Sequence, residues 1–188
     1  IRVKCMSNQR QLMQGLIEYT MVNDGLLPRP FYVANNAPWY SLQLLGPYIG
    51  NTVGWPTTWY TNNNSKISIC PAFALGPNYD RLGIGMNACW DNGMQGDMRY
   101  SNVTGPSRTM MFVDVAADSS GYMSYLFEQF YQGDTGDPGG TVRSWTGSGR
   151  VVAYRHGKQT VVSFVDGHAE TFTSNYEDSE STQYKQGL

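Results

Sequence analysis

The stretch from Arg150 to Thr173, RVVAYRHGKQTVVSFVDGHAETFT, constrains the fold more than any other part of the chain. Three runs rich in β-branched and aromatic residues are separated by Gly157-Lys158 and Asp166-Gly167. This pattern predicts a three-stranded antiparallel meander. Asp-Gly favours a two-residue type I′ turn, which needs positive φ at both central positions, and Gly157-Lys158 is a weaker signal of the same kind. The predicted strands are 151–155, 160–165 and 168–173.

The first 22 residues predict a helix with one buried face. Apolar residues recur near a period of 3.6 from Met6 to Met21, with polar residues between them. The sequence Asn23-Asp24-Gly25 predicts the end of this helix, because Asn and Gly accept the left-handed conformation that follows a helix C-terminus.

Further elements are predicted along the middle of the chain. A second short helix is expected over Pro38–Ile49, with one apolar face and with Gly50 as its stop. That face would carry Trp39, Leu42, Leu45 and Ile49. Strands are predicted at Lys66–Cys70, Ile84–Cys89 and Thr109–Val115, whereas Tyr122–Tyr131 fits either a strand or a helix.

These elements predict an α+β fold in which the N-terminal helix packs on an antiparallel β-sheet connected by long loops. We expect a single domain over residues 1–173, with 1–22 as the helix, 150–173 as the C-terminal meander and 174–188 as a loose polar tail.

Charge and cysteine content exclude several classes of function. Charged residues make up 15% of the chain and the net charge is −2, so we expect no nucleic-acid partner. The three cysteines show no CxxC spacing and no His lies next to them in sequence, which argues against a zinc site. In an oxidising compartment one pair could form a disulfide, and in a reducing one all three would be small core residues.

His156, nine residues and then Asp166-Gly167-His168 resemble the H-X9-DG motif of bacterial prepilin-type proteins, the pseudopilin-like family. Other blocks are similar to that family in the same order along the chain. They are Cys5–Leu12, Val22–Pro28, Trp39–Ile49, Cys70-Pro71, Gly85-Met86-Asn87 and Phe112-Val113-Asp114.

The resemblance implies a structural subunit of a bacterial pilus or a type II secretion pseudopilus, with no catalysis and no cofactor. Its partners would be other pilin or pseudopilin subunits. A full-length precursor would be anchored in the inner membrane and processed by prepilin peptidase. The mature subunit would then belong to a periplasmic or extracellular filament. The family's apolar N-terminal segment is not in the sequence, so we interpret residues 1–22 as the soluble half of the family's long helix. The resemblance also implies a Cys5–Cys70 disulfide, since both residues fall in matching blocks.

The motif residues are expected to define the fold rather than to bind an ion. Seven strand residues between the two turns would place His156 and Asp166 roughly 23 Å apart, at about 3.3 Å per residue, too far to share a metal. Asp166 and His168 should lie close together, with His168 opposite Val165 and Glu170 opposite Ser163. We expect Asp166 to be a turn residue and His168 a hydrogen-bonded strand residue.

Other carboxylates are candidates for ion binding. Asp114 ends a predicted strand, where a buried or capping carboxylate is the preferred interpretation. Asp134 and Asp137, in a glycine-rich loop, offer the oxygen ligands that calcium prefers, and some major pseudopilins carry a calcium loop near the C-terminus. Their spacing matches no calcium motif we can name, so ordinary turns are the preferred interpretation.

An extracellular glycan-binding or adhesive module is the alternative function. Loop aromatic residues could stack on sugar rings while Asn side chains bind hydroxyls, although aromatic residues equally fill small cores. The candidate contacts are Trp55, Trp59, Tyr60 and Trp90.

Overall fold

A computed structural model gives the fold and describes residues 1–32, 37–52, 65–72, 83–87, 98–103, 105–115, 126–127 and 156–173. Its one α-helix in these ranges, α1, spans Arg2–Val22. The strands are β1 Phe31–Tyr32, β2 Ala37–Pro38, β3 Ile84–Asn87, β4 Met110–Asp114, β5 Leu126–Phe127, β6 Gln159–Phe164 and β7 Ala169–Thr173. Short 3₁₀ helices span Gly46–Ile49 and Tyr100–Asn102.

The main sheet has the strand order β5-β3-β4-β6-β7. The pairs β3–β4, β4–β6 and β6–β7 are antiparallel, and the two residues of β5 pair in parallel with β3. Helix α1 packs on this sheet, mainly against β6. The predicted α+β arrangement of a helix on an antiparallel sheet is therefore confirmed.

The helix forms where its periodicity predicts, and it buries one face, although Met21, which the periodicity places on that face, is 80% exposed. Its buried residues are Cys5, Asn8, Gln9, Leu12, Met13, Gly15, Leu16 and Thr20. Asp24 and Gly25 follow with φ of 52° and 75°, the left-handed conformation expected after the helix end. The predicted helix and its stop are both confirmed.

Helix α1 runs along β6 in the same direction. The Arg2 guanidinium donates a hydrogen bond to the Gln159 side chain at the start of β6, and the Gln9 amide donates to the Val161 carbonyl at 3.0 Å. Past the end of β6, Gly167 lies close to Ile17, since a Cβ built on it would be 3.8 Å from Ile17 Cδ1. Helix α1 therefore passes along the whole of β6, from its first residue to the loop that follows it.

Strand β4 is buried along its whole length, as its continuous apolar pattern predicts. Met111 and Phe112 join the core that includes α1, whereas Met110 and Val113 pack with Val162 and Phe164 in a second cluster. A register shift between Met110 and Phe112 is a β-bulge. The sheet is therefore covered on both faces at β4.

The second predicted helix is wrong for most of its length. Strand β2 ends at Pro38, residues 39–45 form turns, and only Gly46–Ile49 is helical, as a 3₁₀ turn. Gly46 approaches the Ser41 backbone so closely that a Cβ on it would lie 2.5 Å from the Ser41 oxygen, and this close return replaces regular helix. Gly50 ends the turn with φ 73°, as predicted.

One face of that segment is buried as expected, except at one position. Trp39, Leu45 and Ile49 are buried, whereas Leu42 is 36% exposed.

The predicted strand Lys66–Cys70 is also wrong, whereas the later strands are confirmed nearly as predicted. Residues 66–68 form turns, and Ile69 makes one isolated bridge to Gly83. The Asn8 side-chain amide donates hydrogen bonds to the carbonyls of Lys66 and Ile69, so these carbonyls face the helix rather than a neighbouring strand. Strand β3 covers the first four residues of the prediction 84–89, and β4 lies within 109–115.

Of the two predicted two-residue turns, the one at Gly157-Lys158 is confirmed and the one at Asp166-Gly167 is wrong. Gly157 and Lys158 both have positive φ, 67° and 65°, which is what a type I′ turn requires. At the other turn Gly167 alone is left-handed, at 93°, and the Phe164 N–H donates to the His168 carbonyl across a three-residue loop. The longer loop arises because Asp166 keeps negative φ.

This three-residue loop shifts the pairing of β6 with β7. Ser163 lies opposite Ala169 and Val162 opposite Glu170, so the predicted pairs His168–Val165 and Glu170–Ser163 are wrong. The predicted first strand, 151–155, lies outside the described residues, as do the predicted tail 174–188 and most of Tyr122–Tyr131.

Candidate functional site

Four chemically reactive side chains meet between the first turns of α1 and the start of β6. Cys5 lies on the buried face of α1, and Cys70 follows the bridge residue Ile69. Asp114 is the last residue of β4, and His156 precedes the type I′ turn that leads into β6. The helix-to-sheet packing therefore brings together residues from four separate segments, which we call the Cys-Asp-His cluster.

The cluster is tightly connected. The Cys5 Sγ lies 3.1 Å from Asp114 Oδ1 and 3.5 Å from the Cys70 Sγ. His156 Nε2 lies 3.0 Å from Asp114 Oδ2 and 3.5 Å from the Cys70 Sγ. One ligand atom from each residue lies within 4.8 Å of every other. The side chains of His156 and Asp114 are 2% and 0% exposed, so water screens this ion pair little.

Electrostatics inside the cluster favours a protonated thiol and a charged imidazole. The hydrogen bond that the His156 ring donates to the Asp114 carboxylate raises the pKa of His156 above its ordinary value, against the lowering effect of burial. The pKa of Cys5 is raised by its hydrogen bond with Cys70, by burial and by the negative charge of Asp114. Cys5 has one S–H proton, and the carboxylate oxygen is its better acceptor.

Asp114 is also fixed by the sheet. The register between β4 and β6 would place it opposite Val161, and its Oδ2 accepts the Val161 N–H at 3.1 Å. The Gln9 side-chain amide donates a hydrogen bond to the Val161 carbonyl. Side chains thus satisfy both backbone groups of Val161, and the carboxylate is held in one orientation. The expected buried carboxylate at position 114 is confirmed.

An open cleft of about 450 Å³ reaches this cluster from the surface. It is lined by Ile1, Arg2, Val3, Ala72 and His156. His156 is therefore the one residue of the cluster that lines the cleft, although its side chain is only 2% exposed, and Cys5 and Cys70 are fully buried.

The motif residues at the other end of β6 form a separate, exposed group. Asp166 Oδ1 accepts the His168 backbone N–H at 3.1 Å and lies 2.5 Å from His168 Nδ1. The His168 ring stacks on Phe164, with centroids 4.3 Å apart and planes 4° apart. Asp166 and His168 therefore lie close together, as predicted, while His156 lies at the opposite end of the strand.

The structure brings Cys5 and Cys70 together as free cysteines in contact. Their disulfide stays a prediction. The candidate calcium residues Asp134 and Asp137 lie outside the described residues. So do the candidate glycan contacts Trp55, Trp59, Tyr60 and Trp90.

The sequence reasoning missed that His156 and Asp114 join the two cysteines. It judged cysteine and histidine positions by their separation along the chain, and 86 residues separate Cys70 from His156. One sequence signal for the cluster was present, because each of the four residues falls in a different block that is similar to the pseudopilin-like family. Polar residues in separate blocks of this kind can be tested as members of one site.

No family model, curated protein or solved structure matches the chain. Within the ranges that the structure describes, no helix is both long and apolar enough to cross a membrane. The fold itself defines the class only as α+β, with a helix on a mainly antiparallel sheet.

Proposed function

We propose that the chain is the globular part of a structural subunit of a bacterial filament, either a pilus or a type II secretion pseudopilus. In this proposal the subunit has a pilin-like fold, assembles through its N-terminal helix and catalyses no reaction. The observation that carries it is the relation of α1 to β6. The H-X9-DG residues lie at the two ends of the strand along which the helix packs.

The two ends of that motif lie beside the two ends of the helix. His156 contacts Asp114, which in turn contacts Cys5 near the start of α1. Gly167 lies beside Ile17 near its end, where a larger residue in the left-handed conformation would be strained. A filament subunit that assembles through this helix needs it fixed rigidly to the globular domain, and the His156 end of the motif supplies such a connection.

The outward face of α1 is available for contacts between subunits. Val3 and Met21 are 77% and 80% exposed, and Ser7, Arg10 and Gln14 lie between them on the same face. Exposed apolar side chains of this size at both ends of a helix are suited to packing against a second helix.

Cysteine crosslinking of the full-length gene product in cells tests the proposal. Val3→Cys should give oxidised dimers, because neighbouring copies of α1 pack together in the proposed filament and each new thiol forms one disulfide. Glu170→Cys on β7 is the matched control, since that side chain is exposed but does not lie on the outward face of α1. The coding sequence upstream of Ile1 should specify an apolar segment of about 20 residues after a Gly cleavage site. Monomers from both variants, or a precursor without such a segment, would contradict the proposal.

A further inference from the structure

We propose that Cys5, Cys70, Asp114 and His156 form a tetrahedral binding site for one divalent metal ion of the zinc class. The site would tie α1 to the sheet. This inference rests on the Cys-Asp-His cluster alone and does not depend on the filament proposal.

The spacing of the ligand atoms is close to that of a tetrahedron, since one ligand atom from each of the four residues lies within 4.8 Å of every other. Zinc binds sulfur at about 2.3 Å and nitrogen or oxygen at about 2.0–2.1 Å. Tetrahedral angles then give edges of about 3.8 Å for S···S and 3.6 Å for S···N. In the protein these two distances are both 3.5 Å, while Asp114 Oδ1 lies 3.1 Å from the Cys5 Sγ and Asp114 Oδ2 lies 3.0 Å from His156 Nε2. The S···S and S···N edges need to lengthen by less than about half an ångström to admit the ion, and one of the two Asp114 oxygens completes the set.

The chemistry of the donors selects the ion. Two thiolates and an imidazole are ligands for zinc and similar transition metals, whereas calcium and magnesium prefer oxygen. Four protein ligands leave no open coordination position, which is the pattern of a structural site rather than a catalytic one. The ion would also remove the protons from the buried thiols, because a coordinating thiol is deprotonated outright.

The surroundings support binding as well. The Val161 N–H holds Asp114 in place through Oδ2, as second-sphere hydrogen bonds do for metal-binding carboxylates. The surface cleft that His156 helps to line lies next to the site. With zinc and a neutral imidazole the site carries a net charge of −1, and Arg2 lines the same cleft.

Two other states of the cluster compete with the metal. A disulfide would require the sulfurs to move from 3.5 Å to about 2.05 Å and would remove both as metal ligands. A metal-free, hydrogen-bonded core would keep the thiols protonated. The test therefore uses reduced protein, whose free thiols are counted by mass after alkylation.

Cobalt titration of the reduced, chelator-treated protein is the first measurement. One equivalent of Co²⁺ should produce thiolate-to-cobalt charge-transfer bands and the intense visible bands of a tetrahedral centre, and one equivalent of Zn²⁺ should abolish them. This readout uses the unaltered protein, so it does not depend on any variant folding. Reduced protein that shows no tetrahedral spectrum would overturn the proposal.

Matched variants then identify the ligands. Cys70→Ser and His156→Gln should each weaken Zn²⁺ binding about 100-fold or more. His168→Gln changes the same residue type at the opposite end of β6 and should leave the affinity unchanged. Equal affinity in Cys70→Ser and the unaltered chain, or loss in His168→Gln alone, would assign the metal to another place and refute the site.

Discussion

Replacing Asp114 by Asn should destabilise the metal-free protein by about 2 kcal/mol. Asn keeps an oxygen for the Val161 N–H but loses the negative charge that His156 and Cys5 contact. A buried hydrogen bond to a charged group contributes about 1.5–3 kcal/mol. Asp114→Ala should cost about 4 kcal/mol, because it also leaves the Val161 N–H without its acceptor, at about 1–3 kcal/mol, and opens a cavity.

The loss should depend on pH. Asp114 raises the pKa of His156 above the value of 6.5 that the unfolded chain has, so the folded state binds the proton more tightly. The resulting stability is fully present below pH 6.5 and disappears as the pH rises through the folded-state pKa. The difference between the unaltered protein and Asp114→Asn should therefore shrink on going from mildly acid to alkaline pH.

Urea unfolding with chelator and reductant present, followed by far-ultraviolet circular dichroism across this pH range, measures the free energy of unfolding. Glu18→Gln, the same carboxylate-to-amide change on the exposed face of α1, is the control and should stay within about 0.5 kcal/mol. The reasoning fails if Asp114→Asn behaves like this control, or if its effect is the same at every pH.

Two glycine substitutions test the packing and the turn. Gly15→Ala should lower the free energy of unfolding in urea melts by about 1 kcal/mol, although Ala has the better helix propensity. The reason is that its Cβ would lie 2.9 Å from Ile49 Cγ2 and 3.0 Å from the Tyr48 oxygen. Gln14→Ala on the exposed face is the control, and a Gly15→Ala variant more stable than the unaltered protein would disprove the contact. By the same assay, Gly167→Ala should lower the free energy of unfolding by about 1–2 kcal/mol, since φ at this position is 93°. Gly167→Asn should lower it less, because Asn tolerates the left-handed region. Equal losses of stability in the two variants would show that backbone strain is not the cause.

Much of the fold follows from local sequence patterns. The helix and its end at Asp24-Gly25 could be predicted because periodicity and left-handed residues are properties of neighbouring positions. Strand β4 could be predicted because a continuous apolar run has few alternatives. The packing of α1 on the sheet could be predicted too, since the meander was the evident surface for the helix, but its direction along β6 was not predicted.

The errors have tertiary causes. The helical period at 38–49 is real, but the close return of Gly46 to Ser41 is a contact that no periodicity encodes. Asp-Gly is compatible with both a two-residue and a three-residue loop. In the folded protein the Asp166 N–H donates a hydrogen bond to the Pro106 carbonyl at 3.3 Å, and local sequence does not encode this contact between distant segments. The Cys-Asp-His cluster was missed for the same reason, since 109 residues separate Cys5 from Asp114.

The packing of α1 on β6 also has a consequence for synthesis of the chain. Gln9 and Val161, which bond in the folded state, are 152 positions apart. At about 5–20 residues per second, the ribosome needs on the order of ten seconds between making one and making the other. Throughout that interval Leu12, Met13 and Leu16 lack β6, the strand that α1 mainly packs against, so part of the helix face that becomes the core is first exposed to other proteins in the cell. A chain whose synthesis halts before β6 should keep this helix face exposed, because the strand that α1 mainly packs against is missing.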